Sequence, residues 1–272
     1  MSLPPYINPS VFSMFPVKKG DVFCAVPAKS GTHWTMQMCY QLLSGGRTDF
    51  DDIYDAVPWL EFVDFQGQTD EERVARYDGF ETCPGRRVFK SHFPPGMLPL
   101  SPDAKYVVTV RNPLDALVSL IPFIQQHNDA FFDAWGLGRA GANFKGRTST
   151  PESIASDPTG FSVLPFLGAV PGLASHPNVL ILHFNNLLKD LRGEMRKLAD
   201  FLEVSPSPEV FEKCVEHSTF AWMKTHHSQF GEGNGKRMGY LDRDTGKLIP
   251  ALQSDILMRK GESGEGKRTF SE

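Results

Sequence analysis

Three stretches of the chain collect residue types suited to handling anions and moving a group between molecules. The first is Cys24-Ala-Val-Pro-Ala-Lys-Ser-Gly-Thr-His-Trp34. Val22 to Val26 is apolar enough for a strand, Pro27 and Gly31 supply a tight loop, and Trp34, Met38 and Leu42 then recur at helical spacing. A helix that opens this way turns unpaired N–H groups and a partial positive charge towards an anion. Lys29 adds a formal charge, and Ser30 and Thr32 add hydroxyl donors. Taken alone, the segment leaves open a phosphate cradle and a solvated surface turn. The second stretch is Arg86-Arg-Val-Phe-Lys-Ser-His-Phe-Pro-Pro95, in which a short strand over Val88 to Lys90 must end at the proline pair. Lys90 and His92 are then left at the strand's end, two residues apart and on one side. In an open parallel sheet that end is where ligands bind. A histidine there is either a structural residue or the group that takes up a proton. In the third stretch the β-branched strand Lys105 to Val110 runs straight into Arg111, with Asn112 a helix N-cap and Pro113 at the first helical position. An arginine so placed is costly to bury unpaired and should hold an anion.

These stretches need a scaffold of strands and helices, and the composition allows one. With 272 residues, 40% hydrophobic and 22% charged, the chain suits a single globular α/β domain over 1–272, because no Gly/Ser/Pro linker divides it. Its net charge of −4 gives no support to a nucleic-acid partner. Cys24, Cys39, Cys83 and Cys214 are widely spaced, without a C-x-x-C pair or a metal-ligand cluster, which points to reduced thiols and a cytoplasmic protein. Met1 to Phe15 holds three prolines and no basic-then-apolar run, unlike a signal peptide. The longest apolar stretch, Ala116 to Ile124, is broken by Ser119 and Pro122 and falls far short of a membrane span.

Between the motifs the pattern is plainer. Residues 1–20 read as coil, with Phe12, Met14 and Phe15 either capping the core or forming one wall of a pocket. Asn128 to Pro158 is glycine-rich with scattered aromatics (Phe131, Phe132, Trp135, Phe144), the pattern of a lid or loop on the acceptor side, with disorder as the other reading. Asn178 to Leu182 is another buried strand. Leu188, Leu191, Met195, Leu198 and Leu202 mark the inner face of one helix from about Asn185 to Leu202. From Gly231 to Lys247 glycines alternate with charges, as in a mobile surface loop, and 231–272 reads as a mobile C-terminal segment.

The triphosphate-binding pattern G-x-x-x-x-G-K-[ST] fits poorly, since Ala28 stands where a glycine should precede the lysine. The order Lys29-Ser-Gly-Thr-His-Trp34 instead resembles the 5′-phosphosulfate loop of sulfotransferases, which transfer a sulfuryl group from 3′-phosphoadenosine 5′-phosphosulfate (PAPS). Lys90-Ser-His-Phe-Pro-Pro95 resembles that family's K-T-H-x-P-P, and Arg111-Asn-Pro-Leu-Asp-Ala-Leu-Val-Ser119 its R-N-P-x-D-x-x-V-S. His217-Ser-Thr-Phe-Ala-Trp-Met-Lys224 is similar to T-S-F-x-x-M-K, and Arg259-Lys-Gly261 to R-K-G. The resemblance covers roughly 21–267 and implies a mostly parallel central sheet flanked by helices, with a P-loop-kinase-like strand–loop–helix nucleotide site.

It also implies roles. Lys29, Ser30, Gly31, Thr32, His33 and Trp34 would bind the nucleotide together with Arg111, Ser119, Phe184, Ser218, Thr219, Phe220, Met223, Arg259, Lys260 and Gly261. His92, Lys29, Lys90 and Ser119 would be catalytic, and Lys90, His92, Phe15, Phe93 and Phe123 would face the acceptor. The partner implied is a small organic acceptor bearing a hydroxyl or amine, handled by a monomer or weak homodimer with no metal, membrane or nucleic acid involved. The sequence departs from the pattern where Phe184 replaces a tyrosine that contacts the nucleotide. It departs again where Gly264-Glu-Gly-Lys267 replaces G-D-W-K, and it closes at Glu272, ahead of the family's usual final helix and dimerisation segment. Two other readings stay open, a non-catalytic binder of adenosine 3′,5′-bisphosphate (PAP) and a small-molecule kinase.

Overall fold

A parallel four-stranded sheet organises the molecule, in the order β2-β1-β3-β4. Its strands are β1 (Val22–Ala25), β2 (Val88–Ser91), β3 (Lys105–Val110) and β4 (Val179–His183). The computed structural model describes residues 3–138, 141, 163–231, 238–252 and 261–270. Both faces of the sheet are covered, so β1, β2 and β3 read as near-continuous apolar runs. Val22, Cys24, Val88 and Val107 point into one core, and Phe23, Ala25, Phe89, Tyr106 and Val108 into the other. The alternation is the two-residue period of a strand.

The helices that follow the strands in sequence carry the site. They are α1 (Thr32–Ser44) after β1, the short α2 (Ile53–Ala56) and α3 (Asp70–Ala75), α4 (Pro113–Gln125) after β3, and α5 (Asp129–Ala134). Next come α6 (Val163–Ala169), then α7 (Phe184–Lys189), α8 (Leu191–Leu202), α9 (Pro208–His217) and α10 (Phe220–Thr225). A two-stranded antiparallel hairpin, β5 (Gly239–Leu241) with β6 (Leu248–Pro250), and a last helix α11 (Glu265–Phe270) complete the described fold. α4 begins as its sequence dictates, with the Asn112 side chain accepting from the Leu114 N–H and Pro113 in the first turn. Pro122 lies inside this helix, which continues to Gln125.

Four sequence expectations need correction. The single helix over 185–202 is two, because Asp190 leaves helical geometry (φ −149°, ψ 72°) and its carboxylate caps the next helix at the Gly193 N–H. Within 128–158, Asn128 caps a real helix, α5, whose Phe131 and Phe132 are buried; residues 142–158 lie outside the described part. Of 231–247, residues 232–237 lie outside the described part, and beyond them the charged residues build a turn. The Asp242 carboxylate accepts from the Asp244 and Thr245 N–H groups, which brings β5 back alongside β6. The first twenty residues contain a 3₁₀ turn, Pro9–Ser13, held at its start by the Asn8 side chain.

Candidate active site

The carboxyl ends of β1, β2 and β3 and the start of α1 meet in one pocket. The loop after β1 contributes Ala28, Lys29, Gly31, Thr32, His33 and Trp34; the end of β2 contributes Lys90 and His92, and the end of β3 Arg111. α4 and the residues just beyond it add Ser119, Phe123 and His127, while Phe184, Phe220, Met223, Gly261, Glu262 and Glu265 close one side. The opposite wall is Tyr6, Tyr54, Trp59, Phe62, Phe131, Met238 and Ala251. One side is therefore rich in cations and backbone donors, and the other is mostly aromatic.

The cationic side is set by backbone geometry. Gly31 caps α1 in the left-handed region with no side-chain cap, which leaves the helix's first N–H groups to a ligand. Lys29 is itself left-handed (φ 59°), a conformation that costs a non-glycine residue about 1–2 kcal/mol and that the surrounding structure must enforce. Its carbonyl accepts from the Arg111 guanidinium at 3.0 Å, tying the first loop to the end of β3. The Lys29 ammonium sits 4.5 Å from the centre of the Phe123 ring, one helical turn beyond Ser119.

His92 is held by its ring and by its peptide. Its Nδ1 donates to the Val26 carbonyl at 2.7 Å, which leaves Nε2 as the basic nitrogen. Its ring stands edge-on to Trp59 at 5.0 Å. Burial first, then the neighbouring Lys90 charge, push its pKa well below the ordinary histidine value, so the imidazole is neutral at pH 7. His33 is lowered to about 3 by burial and by Lys90 and Lys29. Lys90 is buried with its ammonium 2.9 Å from the centre of the Trp59 ring. Burial pulls its pKa down, and a carboxylate absent from the sequence expectations, Glu61, opposes that fall.

The cationic side is closed by the tail. Arg111 donates to the Glu262 carbonyl at 2.6 Å and lies over the Phe184 ring at 4.5 Å. Phe184 meets Trp34 edge-to-face at 5.4 Å, and the Trp34 indole N–H donates to the Ser218 carbonyl at 2.7 Å. Gly261 has φ +64° and lies against Phe220, where a Cβ would come within 2.6 Å of the ring. Asp115 fastens the next turn of the tail, accepting from the Ser263 hydroxyl (2.9 Å) and the N–H groups of Gly264 (2.9 Å) and Gly266 (2.7 Å). Gly266 is the position that departs from G-D-W-K. A Cβ there would lie 2.4 Å from the Leu114 carbonyl carbon, so α11 packs too closely on α4 for any side chain.

Profile matching to known families gives a sulfotransferase domain over residues 19–272. The chain belongs to the sulfotransferase family. It is 26% identical to the guinea pig (Cavia porcellus) 3-alpha-hydroxysteroid sulfotransferase, covering 98% of this chain and 84% of that protein. It is 28% identical to human sulfotransferase 1E1, covering 94% of this chain and 80% of that protein. Among solved structures, mouse sulfotransferase SULT7A1 complexed with PAP shares the fold with a TM-score of 0.60 at 21% identity, over 96% of this chain and 81% of that one. As a member of the family this sulfotransferase moves a sulfuryl group from PAPS to a small-molecule acceptor.

Not every residue that the sequence nominated faces the pocket of this sulfotransferase. Phe15 belongs to the core on the far face of the sheet, edge-on to Phe89 at 4.9 Å and Phe23 at 6.1 Å. Phe93 is not a lining residue; its ring packs on Phe12 at 5.7 Å. Ser30 is buried with its hydroxyl directed to the Ala28 carbonyl. Thr219 caps α10, and Ser218 presents its carbonyl to Trp34. Arg259 and Lys260 lie outside the described residues. Sequence reasoning missed Tyr6, Tyr54, Trp59, Phe62 and Met238, which are generic aromatic or apolar residues until the fold gathers them, and His127, which stands in no motif. Glu61 did carry a signal, as the charged end of the apolar run Val57-Pro-Trp-Leu. Among the described residues no group of three or more His, Cys, Asp or Glu is placed to hold a metal ion, and no helix is long and apolar enough to cross a membrane.

Proposed function

We propose that this sulfotransferase transfers SO₃⁻ from PAPS to a hydroxyl, or to an amine, of a small organic molecule, with His92 as the general base. The observation that carries this reading is the Nδ1 bond of His92 to Val26, which leaves Nε2 for the acceptor's proton within a pocket shared with Lys29 and Lys90. The lining residues suit the donor. The uncapped start of α1 accepts a phosphosulfate, Trp34 and Phe220 offer ring faces to adenine, and Gly261 permits a close backbone approach beside Phe220. Arg111 and Ser119, joined by Arg259 and Lys260, hold the 3′-phosphate.

Sulfuryl transfer, like phosphoryl transfer, asks a protein chiefly for alignment and charge stabilisation. An acceptor oxygen forms its bond to sulfur as the bond from sulfur to the 5′-phosphate oxygen breaks. The acceptor's proton passes to His92 Nε2, and PAP leaves. Lys29 neutralises charge growing on the bridging oxygen, while Lys90 stabilises the remaining sulfuryl oxygens. Ser119 holds Lys29 away from the sulfuryl group until the acceptor arrives. The aromatic wall of Tyr6, Trp59, Phe62 and Phe131 receives the acceptor's apolar body. The chemistry needs no metal. Four free cysteines and the moderate net charge suit a cytoplasmic protein, monomeric or weakly dimeric, without a nucleic-acid partner.

The test is single-turnover transfer of radiolabelled sulfuryl from PAPS to a panel of phenols, alcohols, sterols and amines. His92→Ala should lower the rate by ~10²–10⁴-fold, the usual contribution of a positioned base, while PAP affinity stays close to wild type. Wild-type rates in the variant, or no transfer by the wild type to any acceptor, would sink the assignment.

A further inference from the structure

Glu61 is a fully buried carboxylate with no part in the transfer steps of His92, Lys29 and Lys90. The segment Pro58 to Glu61 runs along the free edge of β2. The Lys90 N–H donates to the Pro58 carbonyl at 2.9 Å, the Leu60 N–H to the Lys90 carbonyl at 3.2 Å, and Trp59 bridges to Lys90. This places Glu61 beside the peptide that carries both reacting side chains of β2. One carboxylate oxygen accepts from the His92 N–H at 2.6 Å and from the Ser91 hydroxyl at 3.2 Å. The His92 bond is short, as expected when the acceptor is ionised. The other oxygen is buried against the Trp59 indole. A buried carboxylate is destabilising unless hydrogen bonds and a cation answer its charge.

The answering cation is Lys90. Groups from every neighbouring element bear on its ammonium: Glu61 from the edge segment, Lys29 from the loop after β1, His33 from α1, His92 from its own strand, and Tyr54 from α2, whose ring lies 5.3 Å away. Burial leaves the Lys90 pKa well below the ordinary lysine value; Glu61 opposes that fall and Lys29 adds to it. Burial leaves the Glu61 carboxyl above the ordinary range, against the opposing pull of the His92 N–H, Lys90 and the Trp59 indole. We propose that Glu61 is a positioning residue for transfer: its bonded oxygen fixes the peptide of His92, and its place along the edge of β2 sets a carboxylate beside the buried Lys90 and Lys29. The proposal rests on Lys90 and His92 acting in transfer as the proposed function has them.

Glu61→Gln removes the charge and keeps an acceptor for the His92 N–H; Glu61→Asp keeps the charge and withdraws it by one methylene. Trace labelling of Lys90 with acetic anhydride across pH, read by mass spectrometry on the full chain, reports its proton without any turnover. In Glu61→Gln the labelling midpoint should fall by a pH unit or more. kcat at pH 7.5 should drop at least tenfold and the alkaline limb of the kcat profile should move down by the same amount, while PAP still raises the melting temperature. If Glu61→Gln does not fold, Glu61→Asp should shift the midpoint in the same direction by less. An unchanged midpoint in the variant that folds overturns the proposal, as does a loss of kcat with both limbs unmoved. The underlying reading fails by a different signature, a wild-type chain with no PAP response and no transfer, on which the labelling midpoint does not depend.

Discussion

At the residue scale, the histidine's usefulness comes from one backbone carbonyl. Val26 fixes the His92 tautomer, and burial keeps the ring neutral, so the proposed base needs no pH change to accept a proton. Phe184 makes a contrasting case. Its ring is sandwiched by contacts with Trp34, Gly31 and Arg111, so the packing expected of a tyrosine survives and only the hydroxyl is missing. Phe184→Tyr should tighten PAP binding by the net contribution of one hydrogen bond, about 0.5–1.5 kcal/mol. Calorimetric titration decides it, and equal or weaker binding would show that this chain has no partner for the phenol. Lys29, Lys90, His92 and Arg111 were legible in the sequence because basic residues gathered at strand ends have few other reasons to be there. Phe15 and Phe93 were not, since an aromatic ring serves a core and a pocket equally well and only tertiary packing separates the two.

At the scale of elements, α4 does two jobs. Its N-terminal turn anchors the tail through Asp115, and its middle presents Ser119 and Phe123 to the pocket. Burial raises the Asp115 carboxyl, but the Gly264 and Gly266 N–H groups and the Ser263 hydroxyl outweigh it, leaving the pKa below the usual aspartate value. Asp115→Asn cannot accept all three bonds as well as a carboxylate does. It should loosen 263–266 and weaken PAP binding by roughly 1–3 kcal/mol, the usual penalty for a charged acceptor lost from a buried network. Unaltered affinity in the variant would mean that the tail is held by other contacts. The strands and the openings of α1 and α4 followed from β-branched runs, a capping asparagine and a first-turn proline. The break at Asp190 and the hairpin after Met238 did not, because in both an aspartate side chain satisfies local N–H groups, a competition that hydrophobic periodicity does not register.

At the scale of the molecule, the buried imidazoles make stability depend on pH. An unfolded histidine titrates near 6.5, whereas His33 is lowered to about 3 and His92 is lowered well below its ordinary value. The unfolded chain therefore takes up protons that the folded chain refuses, so stability present above pH 6.5 is lost as the pH falls towards 3. Asp115, with its lowered pKa, adds to the loss below about pH 4. Thermal melts from pH 7 to pH 4 should show a falling Tm, and His33→Gln should flatten the fall; a Tm that rises on acidification contradicts the assignment. The fold was legible as a whole because five motifs occur in order along one chain. The aromatic wall was not, since it draws on the N-terminus, the α2 region, α5 and the hairpin together.

The most direct measurement is the melting temperature of the full chain with PAP, AMP, ADP or ATP with magnesium. Arg111 and Ser119, with Arg259 and Lys260, should reject a nucleotide lacking the 3′-phosphate, because hydrogen bonds to a charged group contribute ~1.5–3 kcal/mol each. PAP should raise Tm strongly, the other three should do little, and Arg111→Ala should erase most of the difference. Stabilisation by Mg·ATP equal to or greater than that by PAP would contradict a PAPS site and point to a kinase.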